Sequence, residues 1–347
     1  MFRSVVAGLS AALVLAPAAV LSSATVAASA VDDGYPDGVT LYPAQLERGA
    51  DTPLPHLQEE VLVDGDVRVP VSGPGASATW LLGTVGDDYV AETANADFDS
   101  YTVHLVRADG SRKILQRLGQ NTTPTLSADG SRLALTTPVR PATRVRVVRT
   151  RTGELVGTRT FADYGAEISD YGVTRMVVTG VISRTYWWNP ARDRVRLIVA
   201  RPASADIAAD RLVVRVPHPT VAWEECQKTV RLSRPNVVLW RSCRDVPWLF
   251  SPDGNRMVTV PILTDGIGPR MVQVRRAAGT LLRTYRAPMF FGFVEWESDR
   301  RLLLQPVGRK YVAAVRCSVV AGCERASRLY PSPGTYDPVM TMRWSFA

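Results

Sequence analysis

Leu126-Ser127-Ala128-Asp129-Gly130-Ser131-Arg132-Leu133 and Phe250-Ser251-Pro252-Asp253-Gly254-Asn255-Arg256-Met257 carry one pattern twice, 124 residues apart. In each, an apolar residue closes one strand, Ser-x-Asp-Gly turns the chain, and a second apolar strand follows. Short Asp and Ser side chains hydrogen-bond the backbone two residues on, and Gly accepts the positive φ of a tight hairpin, so the pattern is first a turn device. Two copies at this distance point to a repeated β unit.

Working outward, similar apolar-then-turn junctions stand at Leu82, Leu126, Ile168, Ile207, Phe250 and Trp296, at intervals of 44, 42, 39, 43 and 46 residues. That is about the length of a four-stranded propeller blade, roughly 40 to 45 residues. Worn copies keep Ser and Asp where the turn needs them, as in Ile168-Ser169-Asp170-Tyr171-Gly172 and Ser298-Asp299-Arg300-Arg301. Further strands rich in branched residues meet a second turn, as in Arg144-Val145-Arg146-Val147-Val148 before Arg151-Thr152-Gly153; these read as outer hairpins. A fixed interval argues against a β-sandwich, which has no reason to repeat at this spacing. The expected fold is all-β, a propeller of six or seven four-stranded blades over residues 61–347. Val61-Leu62-Val63 and Val67-Arg68-Val69 either begin a seventh blade or supply an outer strand that closes the ring against Met340-Thr341-Met342-Arg343-Trp344. Residues 31–60, with Pro36, Pro43, Pro53 and Pro55, are expected to be a lead-in or linker.

The two clear motifs resemble the repeats of TolB-type β-propellers, a family related to WD-repeat propellers. The resemblance implies a ring scaffold for binding, found in periplasmic and extracellular proteins and beside hydrolase domains in some peptidases. The chain has no G-x-S-x-G nucleophile elbow, and the shared motif is structural, so it carries over no catalytic residue.

Residues 1–30 read as a secretory signal peptide: the single charge Arg3, an apolar run from Val5 to Val20, and Ala28-Ser29-Ala30 as the cleavage site. The expected product is a secreted chain beginning at Val31, with no further spanning segment. The formal charge of the whole chain is +8, and all but three of its 41 basic residues are arginines, the lysines being Lys113, Lys228 and Lys310. The arginines are spread over most strands. They fit a coding bias or affinity for an anionic surface such as a wall polymer, and an exported chain is a poor partner for nucleic acid. Cys226, Cys243, Cys317 and Cys323 form an even set, expected as disulfides. Pairing Cys226 with Cys243 and Cys317 with Cys323 is preferred because each pair brackets a hairpin-sized segment. No C-x-x-C supports zinc.

Three candidate sites follow. Asn95, Asp97 and Asp99 alternate like the opening of a calcium loop, but Ser100 stands where Gly is expected and Val106 where Glu is, so a solvated loop competes with calcium. No other cofactor is expected. Tyr186-Trp187-Trp188 is the densest aromatic cluster; Trp187 and Trp188 could stack on a ligand, although adjacent strand residues face opposite ways and at least one should pack between blades. Glu224 and Glu225 could contribute to an acid and base pair only with a carboxylate from another blade, such as Asp87, Asp88 or Glu295. The reading is therefore a monomeric, non-catalytic binding or interaction propeller whose partner is an extracellular protein or cell-envelope polymer. The alternative is an extracellular glycosidase or lyase using carboxylates from different blades.

Overall fold

The computed structural model describes residues 37–72, 76–181, 183–221, 224–264, 268–332 and 340–341. The expected signal peptide and its cleavage site lie outside these residues. Seven sheets follow one another along the chain, and the fold is a seven-bladed β-propeller. Blade 2 shows the plan: Ala76–Val85, Asp88–Asn95, Ser100–Val106 and Arg112–Gly119 pair antiparallel in chain order. Blade 3 (123–161), blade 4 (167–199) and blade 5 (203–242) repeat it with four strands each. Blade 6 (245–286) gains a fifth strand, and blade 7 (290–325) carries extra short pairings at Tyr311–Val312 and Tyr330–Pro331. The first strands of blades 2, 3, 4 and 5 approach one another in turn, as do those of blades 6 and 7, which places the first strands innermost.

The six sequence anchors fall within or one residue beyond the first strands of blades 2 to 7. Blade 1 has no anchor because of how it is assembled. Its outer three strands, His56–Gln58, Val61–Asp64 and Val67–Pro70, come from the start of the ring, and Met340–Thr341 from the other end of the chain pairs with His56–Gln58 in the first position. The turn that marks every other blade is absent where the chain does not run from first strand to second. Of the two expectations for the segment the seventh blade holds, and the alternative is corrected: the segment supplies more than an outer strand, and the ring closes through Met340–Thr341 in the first position of that blade.

Both faces of a blade are buried. In blade 3, Leu133, Leu135 and Val148 pack toward blade 2, and Ala134, Val145 and Val147 pack toward blade 4. Side chains alternate across a strand, so a sheet covered on both sides needs apolar residues at successive positions. Burying a branched or aromatic side chain contributes about 1.5–3 kcal/mol, and a core distributed over every seam makes the ring's stability collective.

Residues 37–55 also belong to the ring rather than to a free linker. Val39–Thr40 pairs parallel with the outer strand of blade 6, Leu41 is fully buried in the seam of blades 6 and 7, and Arg325 of blade 7 accepts and donates backbone hydrogen bonds to Gly49 and Glu47 at 2.9 and 2.8 Å. The chain then enters blade 1, so this strap crosses the seam where the two ends of the ring meet.

Candidate functional site

The repeated Ser-x-Asp-Gly turns are built alike. Ser127 Oγ donates to Asp129 at 2.7 Å and accepts the Arg132 N–H at 3.0 Å; Ser251 Oγ donates to Asp253 at 2.6 Å and accepts the Arg256 N–H at 2.9 Å. Burial alone raises the pKa of each aspartate, but hydrogen bonds from Ser127 and Ser131, and from Ser251 and Asn255, together outweigh it and hold both below the usual range. The turns also reach both neighbouring blades. A Cβ on Gly130 would lie 1.9 Å from the Thr84 carbonyl oxygen of blade 2, and one on Gly254 2.6 Å from that of Ala209 in blade 5. On the other side, Ala128 N–H donates to Tyr171 O at 2.8 Å and Asp253 N–H to Asp299 at 2.9 Å. The motif staples three blades together, a role invisible in the turn alone.

Inner-strand carboxylates serve the same joints. Asp170 of blade 4 accepts the Ile207 N–H at 2.6 Å and its neighbour Tyr171 N–H at 2.7 Å, and Asp206 of blade 5 accepts the Ala209 N–H at 2.8 Å. Burial raises the Asp206 pKa; the Ala209 hydrogen bond opposes this and the nearby Asp170 charge adds to it. In blade 2, burial pushes Glu92 up to about 7. It stands across from Trp80 and Val103, on the face that packs toward blade 3.

The aromatic pair in blade 4 is placed differently from a stacking platform. Trp188 is fully buried; its ring meets Phe161 edge-on at 5.7 Å, and its indole N–H donates to Asp193 at 3.1 Å. Trp187 is 6% exposed and packs toward blade 5, with the Arg175 guanidinium 4.1 Å above its ring. Both residues border an open cleft of about 760 Å³ at the edge of blade 4, together with Asn189, Asp193, Val195 and the arginines 159, 175, 194 and 196. Trp187 lies on the side of the hairpin that carries Arg194 and Arg196, and Trp188 on the other; both are buried, and the exposed residues of the lining are Arg175, Asp193, Arg194 and Arg196. Sequence reasoning singled out the tryptophans and missed the arginines, because the arginines come from three separate elements and only the blade brings them together. Their one legible trace is the alternation Arg194-Val195-Arg196.

Asn95, Asp97 and Asp99 lie in the hairpin between the second and third strands of blade 2. Asn95 is engaged at both ends: its oxygen accepts the Asp99 and Ser100 N–H groups at 3.2 Å, and its amide donates to Asp99 at 2.7 Å. This closes the turn and leaves the Asn95 oxygen committed to backbone. Glu225 faces Arg215 at 3.9 Å as an exposed pair, and Glu224 faces the half-buried His218 at 4.0 Å. Cysteines pair as Cys226–Cys243 and Cys317–Cys323, the preferred arrangement. His218, Cys226 and Cys243 are the one metal-sized cluster among the described residues, and both of its sulfurs are consumed by the disulfide. No helix among the described residues is long and apolar enough to cross a membrane.

These features define a disulfide-bonded seven-bladed β-propeller with an arginine-lined cleft on one blade. No family model and no curated protein sequence matches the chain. Solved propellers do match it in fold. A prolyl endopeptidase aligns over 84% of this chain and 51% of its own at 13% identity, with a TM-score of 0.55. An oligogalacturonate lyase in complex with manganese aligns over 80% of this chain and 83% of its own at 14% identity, with a TM-score of 0.52. TolB from Acinetobacter baumannii aligns over 69% of this chain and 65% of its own at 13% identity, with a TM-score of 0.43. At such identities the likeness is one of fold, and folds of this kind host unrelated functions.

Proposed function

We propose that the protein is an exported, non-catalytic binding propeller that takes its ligand at the cleft of blade 4. The supporting observation is the division of labour among its charges. Guanidiniums 175, 194 and 196 gather at an open cleft without a carboxylate partner among the described residues, whereas Asp170, Asp206 and Asp299 hold backbone N–H groups at and between blades. Two disulfides fit an oxidising compartment, and export rests on residues 1–30. N-terminal sequencing of the protein recovered outside the cell tests the export: a chain beginning at Val31 is expected. Incubating the purified protein with glycan, lactone and peptide substrates tests the rest, and turnover of any of them overturns the non-catalytic reading.

One observation favours the alternative, an extracellular propeller enzyme. Asp170 and Asp206 come from the first strands of adjacent blades, and the Asp170 charge adds to the rise that burial gives the Asp206 pKa, as one carboxylate does to the other in an acid and base pair. In that case Asp206→Asn removes a measured turnover while leaving the fold intact.

A further inference from the structure

Several elements converge at the edge of blade 4. In its outer hairpin, Arg196 stands directly across from Trp187 and Arg194 across from Asn189. Residues two apart on a strand share a face, so these four side chains project on one side. Arg175 arrives from the turn between the first two strands and lies over Trp187. Arg159 comes from the outer strand of blade 3.

Asp193 is the one acidic residue in the lining, and it is already engaged: the same oxygen accepts from Arg159 at 2.7 Å and from Trp188 at 3.1 Å. Arg175, Arg194 and Arg196 are all exposed. Like charges gathered without compensation repel one another, and the cheapest relief is a bound anion.

We infer that this cleft recognises a carboxylate-bearing glycan chain, held by Arg175, Arg194 and Arg196. The inference rests on the binding reading above and specifies its ligand. Guanidinium groups match carboxylates through two parallel hydrogen bonds. Trp187 lies on the same side of the hairpin as Asn189, Arg194 and Arg196, and its indole, 6% exposed beneath Arg175, is the apolar edge of the cleft that a sugar ring, unlike a simple inorganic anion, can use. Asn189 contributes an amide whose oxygen accepts the Arg192 N–H at 3.2 Å and whose NH2 has no partner among the described residues. The cleft is open, so a chain can lie across it. A second depression, between blades 2 and 3, makes the contrast: it has Arg117, Arg144 and Arg146 but no aromatic residue, and Arg146 is tied to Gln116 at 2.8 Å.

The test titrates the full chain calorimetrically with polygalacturonate, with its methyl-esterified form, and with a glycerol-phosphate polymer. Polygalacturonate is expected to bind, more weakly as salt rises, and at least about tenfold more tightly than either of the others, a difference of 1.4 kcal/mol. The variant Arg175→Ala/Arg194→Ala/Arg196→Ala should bind it at least about 30-fold more weakly with an unchanged melting temperature, since all three side chains are exposed. Arg309→Ala, on blade 7, should bind like the unaltered chain. Equal binding of the esterified or phosphate polymer, full affinity in the triple variant, or no binding to any of the three overturns the inference. The non-catalytic reading fails on a separate readout, the release of reducing ends or unsaturated products from any of these polymers.

Discussion

Arg316 and Glu297 form a bidentate ion pair inside blade 7, with Arg316 Nη2 donating to Glu297 Oε1 at 2.7 Å and Nε donating to Oε2. Their side chains are 8% and 4% exposed. The same guanidinium donates to the carbonyls of Ala50 and Asp51 at 3.2 and 3.1 Å, and Thr52 Oγ1 donates to Glu297 at 3.1 Å. One ion pair thus fastens the strap that crosses the closing seam.

Removing one partner of this pair leaves a buried charge without its counterion. Arg316→Ala is expected to lower unfolding stability by about 3–5 kcal/mol. Arg316→Met with Glu297→Leu should cost less than that single change, because the double variant leaves no buried charge stranded; Glu324, which Arg316 also meets at 2.9 Å, has a side chain 45% exposed. Denaturant unfolding of the three proteins checks this; a double variant less stable than Arg316→Ala contradicts it.

Gly130 and Gly153 both have positive φ, 71° and 75°, but only Gly130 touches another blade. Gly153→Ala should cost about 1 kcal/mol, the strain of a left-handed residue. Gly130→Ala should cost at least about 3 kcal/mol, since its Cβ also displaces the backbone of blade 2. Thermal unfolding of the pair reads the difference, and equal losses would remove the staple argument.

Glu92 should make stability depend on pH. Its folded pKa is raised by burial to about 7 from an ordinary 4.5, so the folded state holds this proton more tightly than the unfolded state. Stability from this group is fully present below about pH 4.5 and is lost as pH rises toward 7. Glu92→Gln should therefore be the more stable protein at pH 8, by about 1–3 kcal/mol, and its advantage should shrink toward pH 4.5. His56 has the opposite sign. Burial lowers its pKa, so its contribution is lost as pH falls below its ordinary value, and comparing Glu92→Gln with the parent at each pH cancels it.

The disulfides close loops of different length, with sequence separations of 17 and 6. On the chain-entropy rule, replacing Cys226 and Cys243 by Ser should cost about 3 kcal/mol and replacing Cys317 and Cys323 about 2 kcal/mol. Denaturant unfolding of the two double variants tests the order. Loss of the shorter bridge could exceed its entropic value only if the strap beside it, held through Arg316 and Arg325, came away as well.

Local chemistry was legible in the amino-acid order. Ser127-Ala128-Asp129-Gly130 and Ser251-Pro252-Asp253-Gly254 specify their turns through hydrogen bonds spanning two to five residues, and their spacing numbers six of the seven blades. The disulfide partners could be chosen because each pair closes a short hairpin. The rest depended on contacts between distant parts of the chain. Only the assembled ring joins Met340–Thr341 to His56–Gln58, across nearly the whole sequence. Trp187 and Trp188 look equivalent in order, yet strand alternation sends one toward blade 5 and the other toward blade 3. The arginines of the cleft are ordinary surface residues in the sequence; folding places them at one edge, where their charges must be answered together. The opening turns likewise proved to be more than turns, because the glycines that shape them are also the points where neighbouring blades touch.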